Sequence, residues 1–161
     1  MNAVDISSGD ELRDLYRELI LDHARNPRHF GKLDDATHTA EGINPLCGDK
    51  LRLFVRLDDA QKIVAASFEG SGCAISVASA SLLTDLIIGL STDQALDCFA
   101  TVTDRLTSPE PKSDIDIGVN LEKLRALDGV REFPARVKCA TLAWHALNSA
   151  MQGHSAPAST E

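Results

Sequence analysis

Three cysteines in this chain stand where a thiol can be held still and partly exposed. Cys47 lies in Asn44-Pro45-Leu46-Cys47-Gly48-Asp49, and Cys73 lies in Gly70-Ser71-Gly72-Cys73-Ala74-Ile75-Ser76. Cys139 follows Arg136-Val137-Lys138. Each of these marks a turn or a helix start. Asp49 stands two residues after Cys47, so its carboxylate can turn toward the same point. Three soft thiolates and one carboxylate make four ligands, the number a zinc ion usually takes. The chemistry indicated is that of metal and sulfur. The competing reading, for any one of these cysteines, is a small buried core residue, because free cysteine is among the most buried residue types. The spacings are long and contain no C-x-x-C pair, so both readings stay open at this level.

Local context sharpens each thiol. Cys73 follows a glycine-rich turn and precedes a helix, where unpaired N–H groups and the positive end of the dipole favour thiolate. Cys139 falls in the first turns of the last helix beside Lys138 and near Arg136, and both cations favour thiolate too. Cys47 is flanked by Pro45 and Gly48, which bend its loop tightly. Cys98 differs: it sits mid-helix beside Phe99 with no turn, cation or carboxylate signal, and reads as a core residue.

The elements that must position these groups can be traced along the chain. Ser8 and Glu11 fit a capping box for a first helix, with Leu12, Leu15, Tyr16, Leu19 and Ile20 as its apolar stripe and Asn26-Pro27 as its end. Residues 28–42 read as an irregular connection, with a weakly patterned strand around Thr37 to Ile43. Leu51, Leu53, Val55 and Leu57 alternate with Lys50, Arg52, Phe54 and Arg56, the period of a strand. Asp58-Asp59 is a turn, and Ile63 to Phe68 is a second strand, giving a hairpin. A helix is expected from about Ala74 to Ile88. Ser91 and Gln94 form a capping box for another, running through Ala95, Phe99, Val102 and Leu106. Ser108 to Gly118 is a polar connection. A short helix through Leu121, Leu124 and Leu127 stops at Gly129, and the last helix runs from about Ala135 to Met151. Strands early and helices late indicate α+β: a small antiparallel β-sheet of about three strands with helices packed on one face. One domain is expected over residues 1–152, followed by a small, polar, disordered tail at 153–161.

Composition limits the function classes. The chain has 161 residues, 43% hydrophobic and 25% charged, as in an ordinary soluble domain. A net charge of −8 argues against a general nucleic-acid binder. No apolar run is long enough to span a membrane, and the N-terminus lacks the pattern of a secretory signal. A cytoplasmic location is expected, where thiols stay reduced. Gly70-Ser71-Gly72 lacks the Lys-Ser/Thr ending of a phosphate loop, and Asp114 with Asp116 lacks a calcium-loop pattern. His23, His29, His38, His145 and His154 read as surface or capping residues; His23 would suit the end of the first helix.

Together these segments resemble the IscU/NifU-like iron–sulfur assembly family. The resemblance runs from Leu15-Tyr16 to about Asn148. It includes Leu21-Asp22-His23 with Asn26-Pro27-Arg28, as well as the Cys47 and Cys73 motifs. Within the family the chain is similar to the SufU branch. The segment between Cys73 and Cys139 is longer than in IscU-type scaffolds, and Phe133 to Trp144 resembles a SufU ending. Scaffolds of the IscU type carry histidine immediately before the last cysteine; here that position is Lys138, whose ammonium offers no lone pair. The resemblance therefore implies a metal shell of Cys47, Asp49, Cys73 and Cys139 holding Zn2+.

The resemblance further implies zinc-dependent sulfur transfer in iron–sulfur cluster biogenesis. The partner would be a SufS-type PLP-dependent cysteine desulfurase, with downstream iron–sulfur assembly proteins receiving the sulfur. Cys47 is the expected catalytic acceptor, on a loop bounded by glycine, and would leave the metal before attacking, with a ligand from the partner in its place. Arg136 would orient the site or dock the desulfurase, with a helix-start surface cation as its plainer reading. The alternative function is a scaffold on which a transient Fe–S cluster forms on the same cysteines. A third is a zinc-stabilised adaptor without catalysis.

Overall fold

The computed structural model describes residues 16–108, 122–153 and 158–159. Helix α1 covers residues 16–25. Strands β1 (His38–Asn44), β2 (Asp49–Leu57) and β3 (Ile63–Ser71) follow, then α2 (Ala74–Ile87) and α3 (Thr92–Thr107). A run of 3-10 turns at Glu122–Glu132 leads into α4 (Pro134–Gln152), and β4 is Ala158–Ser159. The expected capping box at Ser8 and Glu11, the polar connection beyond Ser108 and most of the expected tail lie outside the described residues. Within that tail, Ala158 and Ser159 pair in parallel with Gly42 and Ile43.

The sheet order is β3-β2-β1-β4, and β1, β2 and β3 form an antiparallel meander. Alternation on β2 sends Leu51, Leu53 and Val55 to the helical face, where each is at most 2% exposed. Phe54 belongs to the opposite face by the same period, yet it is 3% exposed. The chain from Gly31 to Thr37 passes from Phe68 on β3 to Val55 on β2, and Asp35 pairs with Arg56. Through Asp35 that connection reaches the outer face beside Arg56, the face on which the pattern had assigned Phe54 to solvent.

Helices α2 and α4 close over the inner face. Ala78, Ala80, Ala140 and Ala143 are all buried, and such small side chains let the two backbones come close. Trp144 is fully buried, and its Nε1–H donates to Ser79 Oγ at 3.1 Å, while Ser79 Oγ donates to the Ala140 carbonyl at 2.6 Å. A buried indole N–H needs such a partner. This contact fixes α4 against α2, and so fixes Cys139 relative to Cys73.

Helix α3 begins as its sequence indicates: Ser91 Oγ accepts from Gln94 N, and Gln94 Oε1 accepts from Ser91 N. The segment at Glu122–Glu132 differs from expectation. It is 3-10 rather than α, and it continues past Gly129. Leu124, Leu127 and Val130 stand three apart and are all buried, which matches three residues per turn. His23 also departs from its surface reading. It is 1% exposed and its Nδ1 lies 2.7 Å from Ser81 Oγ, which in turn accepts from Arg28 N. On α1 it shares a face with the core residue Ile20 and the partly buried Leu19. His145 is half-buried, with its ring edge-on to Phe99.

Candidate functional site

The site forms where the β1–β2 turn, the end of β3, the start of α2 and the second turn of α4 meet. Asn44 pairs with Asp49 as the last rung of β1 and β2, so Pro45 to Gly48 is the turn between them. Gly48 adopts φ +72°, a left-handed conformation that glycine takes without a Cβ penalty. Cys47 is exposed at this turn, while Asp49 points inward at 1% exposure. Cys73 is the N-cap residue of α2 and is half-buried, and Cys139 is fully buried.

The ligand atoms of Cys47, Asp49 and Cys139 all lie within 4.8 Å of one another. The Cys139 thiol donates to Cys47 Sγ at 3.7 Å. Tetrahedral zinc with Zn–S bonds of about 2.3 Å requires sulfurs about 3.8 Å apart, so this spacing fits zinc. Asn44 Oδ1, buried beside the group, has no hydrogen-bond partner. Cys73 stands outside that trio but borders it. Its N–H donates to Asp49 Oδ1 at 2.9 Å, and its thiol interacts with that of Cys139. Gly72 is required by contact: a Cβ there would stand 2.7 Å from Asp49 Oδ1.

Electrostatics separates these groups. Burial opposes a charged Asp49, but hydrogen bonds from Ser76, the Cys73 N–H, Cys139 and Asn44 outweigh it and hold the carboxyl below its ordinary range. Cys73 is likewise drawn down, since contacts with Ser76 and Cys139 overcome its burial and the nearby Asp49 charge. Cys139 goes the other way. Burial raises its pKa first, and its interactions with Cys73, Asp49 and Cys47 add to the rise. The expectation that Lys138 and Arg136 would favour a Cys139 thiolate therefore does not hold for the chain alone. Lys138 is half-buried and Arg136 is exposed. Lys138, next in sequence, points to a different face of the helix; Arg136 stands three residues before Cys139 on its own side of α4, but its side chain is exposed while the sulfur is buried.

Two residues escaped the sequence reading. Asn44 is fully buried, and its Nδ2 donates to Asp49 Oδ2 at 3.4 Å and to Cys139 Sγ at 3.7 Å. Ser76, also fully buried, donates from Oγ to Asp49 Oδ2 at 2.6 Å. Both lie inside the motifs around Cys47 and Cys73, which was the available signal. Cys98 is buried and remote from the donor set, as expected.

A three-stranded antiparallel meander backed by two helices, with thiols and a carboxylate gathered at one end, defines an IscU/NifU-like assembly domain. The chain belongs to the NifU-like N-terminal domain family, whose model matches residues 15–140. It is 43% identical over 142 residues to the zinc-dependent sulfurtransferase SufU of Bacillus subtilis, covering 88% of this chain and 92% of that one. It is 39% identical over 145 residues to the iron–sulfur cluster assembly scaffold protein IscU of Streptococcus pyogenes, covering 88% and 86%. A candidate scaffold protein for the SUF system from Fervidobacterium islandicum has a crystal structure that superposes with a TM-score of 0.74. It shares 34% identity, covering 83% of this chain and 94% of that one. No described helix is long and apolar enough to cross a membrane.

Proposed function

We propose that this protein carries sulfur in iron–sulfur cluster biogenesis. It takes the outer sulfur of a persulfide on a SufS-type PLP-dependent cysteine desulfurase and hands it to downstream assembly proteins. The observation that carries this reading is the contrast within the donor set: Cys47 is exposed, while Asp49 and Cys139 behind it are buried. Cys47 is thus the sulfur most open to a macromolecular donor, with Cys73 half-buried and Cys139 walled in. The identity to a relative named as a zinc-dependent sulfurtransferase supports it.

Cys47, Asp49, Cys73 and Cys139 would hold a zinc ion, which when bound keeps its coordinating thiols deprotonated at neutral pH. The step itself belongs to Cys47. Its thiolate attacks the outer sulfur of the desulfurase persulfide, and a new S–S bond forms as the old one breaks. The desulfurase cysteine leaves as thiolate, and the outer sulfur keeps its hydrogen, so Cys47 becomes the persulfide. Asp49, Cys73 and Cys139 hold the pocket behind it. Arg136 and Lys138, at the start of α4, would meet the desulfurase surface.

A second reading, a scaffold on which a transient Fe–S cluster is assembled, is favoured by the relative named IscU scaffold. Desulfurase turnover with and without the protein, with Cys47→Ala as control, tests the first reading. Stimulation by the intact chain alone is the expected result, and no stimulation counts against it. Protein purified without oxygen should hold one zinc and show no iron–sulfur absorbance; ready formation of a cluster would favour the scaffold.

A further inference from the structure

Ser76 touches three of the four donors. Its hydroxyl donates to Asp49 Oδ2 at 2.6 Å, lies 3.7 Å from Cys73 Sγ, and reaches the Cys139 carbonyl oxygen at 3.4 Å. A serine hydroxyl has one hydrogen and two acceptor lone pairs. The short bond to Asp49 uses the hydrogen, so the longer approaches to Cys73 Sγ and the Cys139 carbonyl are packing contacts, and what ties Cys73 to this unit is its own N–H, which donates to Asp49 Oδ1 at 2.9 Å. Ser76 is fully buried, so solvent does not replace these contacts.

Cys47 has no tie of this kind. It is exposed, its thiol contact is with Cys139, and its N–H reaches the Asn44 carbonyl at 3.3 Å across the turn. Moving the start of α2 that carries Cys73 would break the bond from its N–H to Asp49 and strand the buried carboxylate oxygen. Swinging Cys47 outward strands nothing comparable.

We propose that Ser76 is a positioning residue that fixes Asp49, and through the bond from the Cys73 N–H to Asp49 also fixes Cys73, so that Cys47 gives way and becomes the sulfur acceptor. This rests on the sulfur-transfer reading above and adds to it what selects the thiol.

The test compares the zinc-loaded intact chain with Ser76→Ala and Ser76→Thr. Each is incubated with the desulfurase and cysteine, alkylated, and mapped by peptide mass spectrometry for the site of the persulfide. The cobalt(II)-loaded forms are compared by their visible spectra. The intact chain should carry the sulfur on Cys47. In Ser76→Ala the ratio of Cys73 to Cys47 persulfide should rise about tenfold, within the range usual for loss of a group that orients a metal ligand, and the cobalt spectrum should change. Ser76→Thr keeps the hydroxyl and should restore both. Alanine suits a helix interior, so Ser76→Ala should fold. An unchanged persulfide ratio and spectrum in Ser76→Ala overturns the proposal. Absence of persulfide on any cysteine of the intact chain overturns the sulfur-transfer reading instead. The cobalt spectra then decide Ser76 by themselves: altered in alanine and restored in threonine keeps its positioning role, and unaltered removes it.

Discussion

Cys98 and Cys139 share a helix setting and complete burial, and burial raises both thiols, Cys98 to about 11. Their neighbours differ. Among the described residues the charge acting on Cys98 is Asp97, which raises its pKa further. Around Cys139 stand Asn44, Asp49, Cys73 and Cys47. Burial alone makes a sulfur inert. What distinguishes the α4 thiol is a convergence of donors with one exposed member, and the α3 thiol has none.

The sharpest way to break this comparison is to exchange the roles. Cys47→Ala should drop desulfurase turnover to the level seen without the protein, and Cys98→Ala should leave it unchanged. A steady-state assay reads both. Turnover lost in Cys98→Ala, with its fold intact by circular dichroism, would show that the α3 thiol takes part.

Metal removal comes next in size. A zinc ion held at a thousandfold above its dissociation constant adds about 4 kcal/mol, or roughly 10 °C in Tm for a chain of this length. Chelation should therefore lower Tm by that amount in the wild type and in Cys98→Ala. It should leave Cys139→Ala where it already was. Calorimetry with and without chelator checks this, and an unshifted wild type would sink the zinc assignment.

A smaller effect belongs to Cys98 itself. Its thiol stays neutral in the folded chain up to about pH 11, whereas in the unfolded chain it ionises near its ordinary value. The stability this confers is fully present below the unfolded value and is lost as pH rises through the folded one. Between about pH 9 and 11 the wild type should lose roughly 3 kcal/mol relative to Cys98→Ala. Urea unfolding of the two proteins at several pH values measures the difference; a constant gap would mean that Cys98 ionises freely.

Cys47, Cys73 and Asp49 stood out because each sits in a local context with its own chemistry: a proline–glycine turn, a glycine-rich helix start, a carboxylate two residues from a thiol; the cations near Cys139 gave no such guide, since burial and its neighbours raise that thiol instead. The meander was legible from its two-residue period. What tertiary packing decides was not. Asn44 and Ser76 look like ordinary polar residues of a strand and a helix until Asp49 is folded between them. His23 looks like a surface histidine until α2 brings Ser81 to it. Phe54 looks solvent-facing by its period, yet the fold buries it. The leucines at 121, 124 and 127 fit an α-helix as well as a 3-10 run, and the burial of Val130, three residues further on and past Gly129, goes with the tighter period.

The smallest effect tests whether α3 is scaffold alone. The Ser91–Gln94 capping box was readable from four residues because both of its bonds are local. Ser91→Ala removes the acceptor for Gln94 N and should cost about 1 kcal/mol of stability. That loss should appear in denaturant unfolding with zinc content and desulfurase stimulation unchanged, since no residue of α3 lies in the donor set. The two helices that carry the donors, α2 and α4, are joined through Ser79 and Trp144. If Ser91→Ala also lowered zinc content, the packing of α3 on α4 would have to reach Cys139, and the separation between Cys98 and the thiol of the proposed donor set would be one of degree.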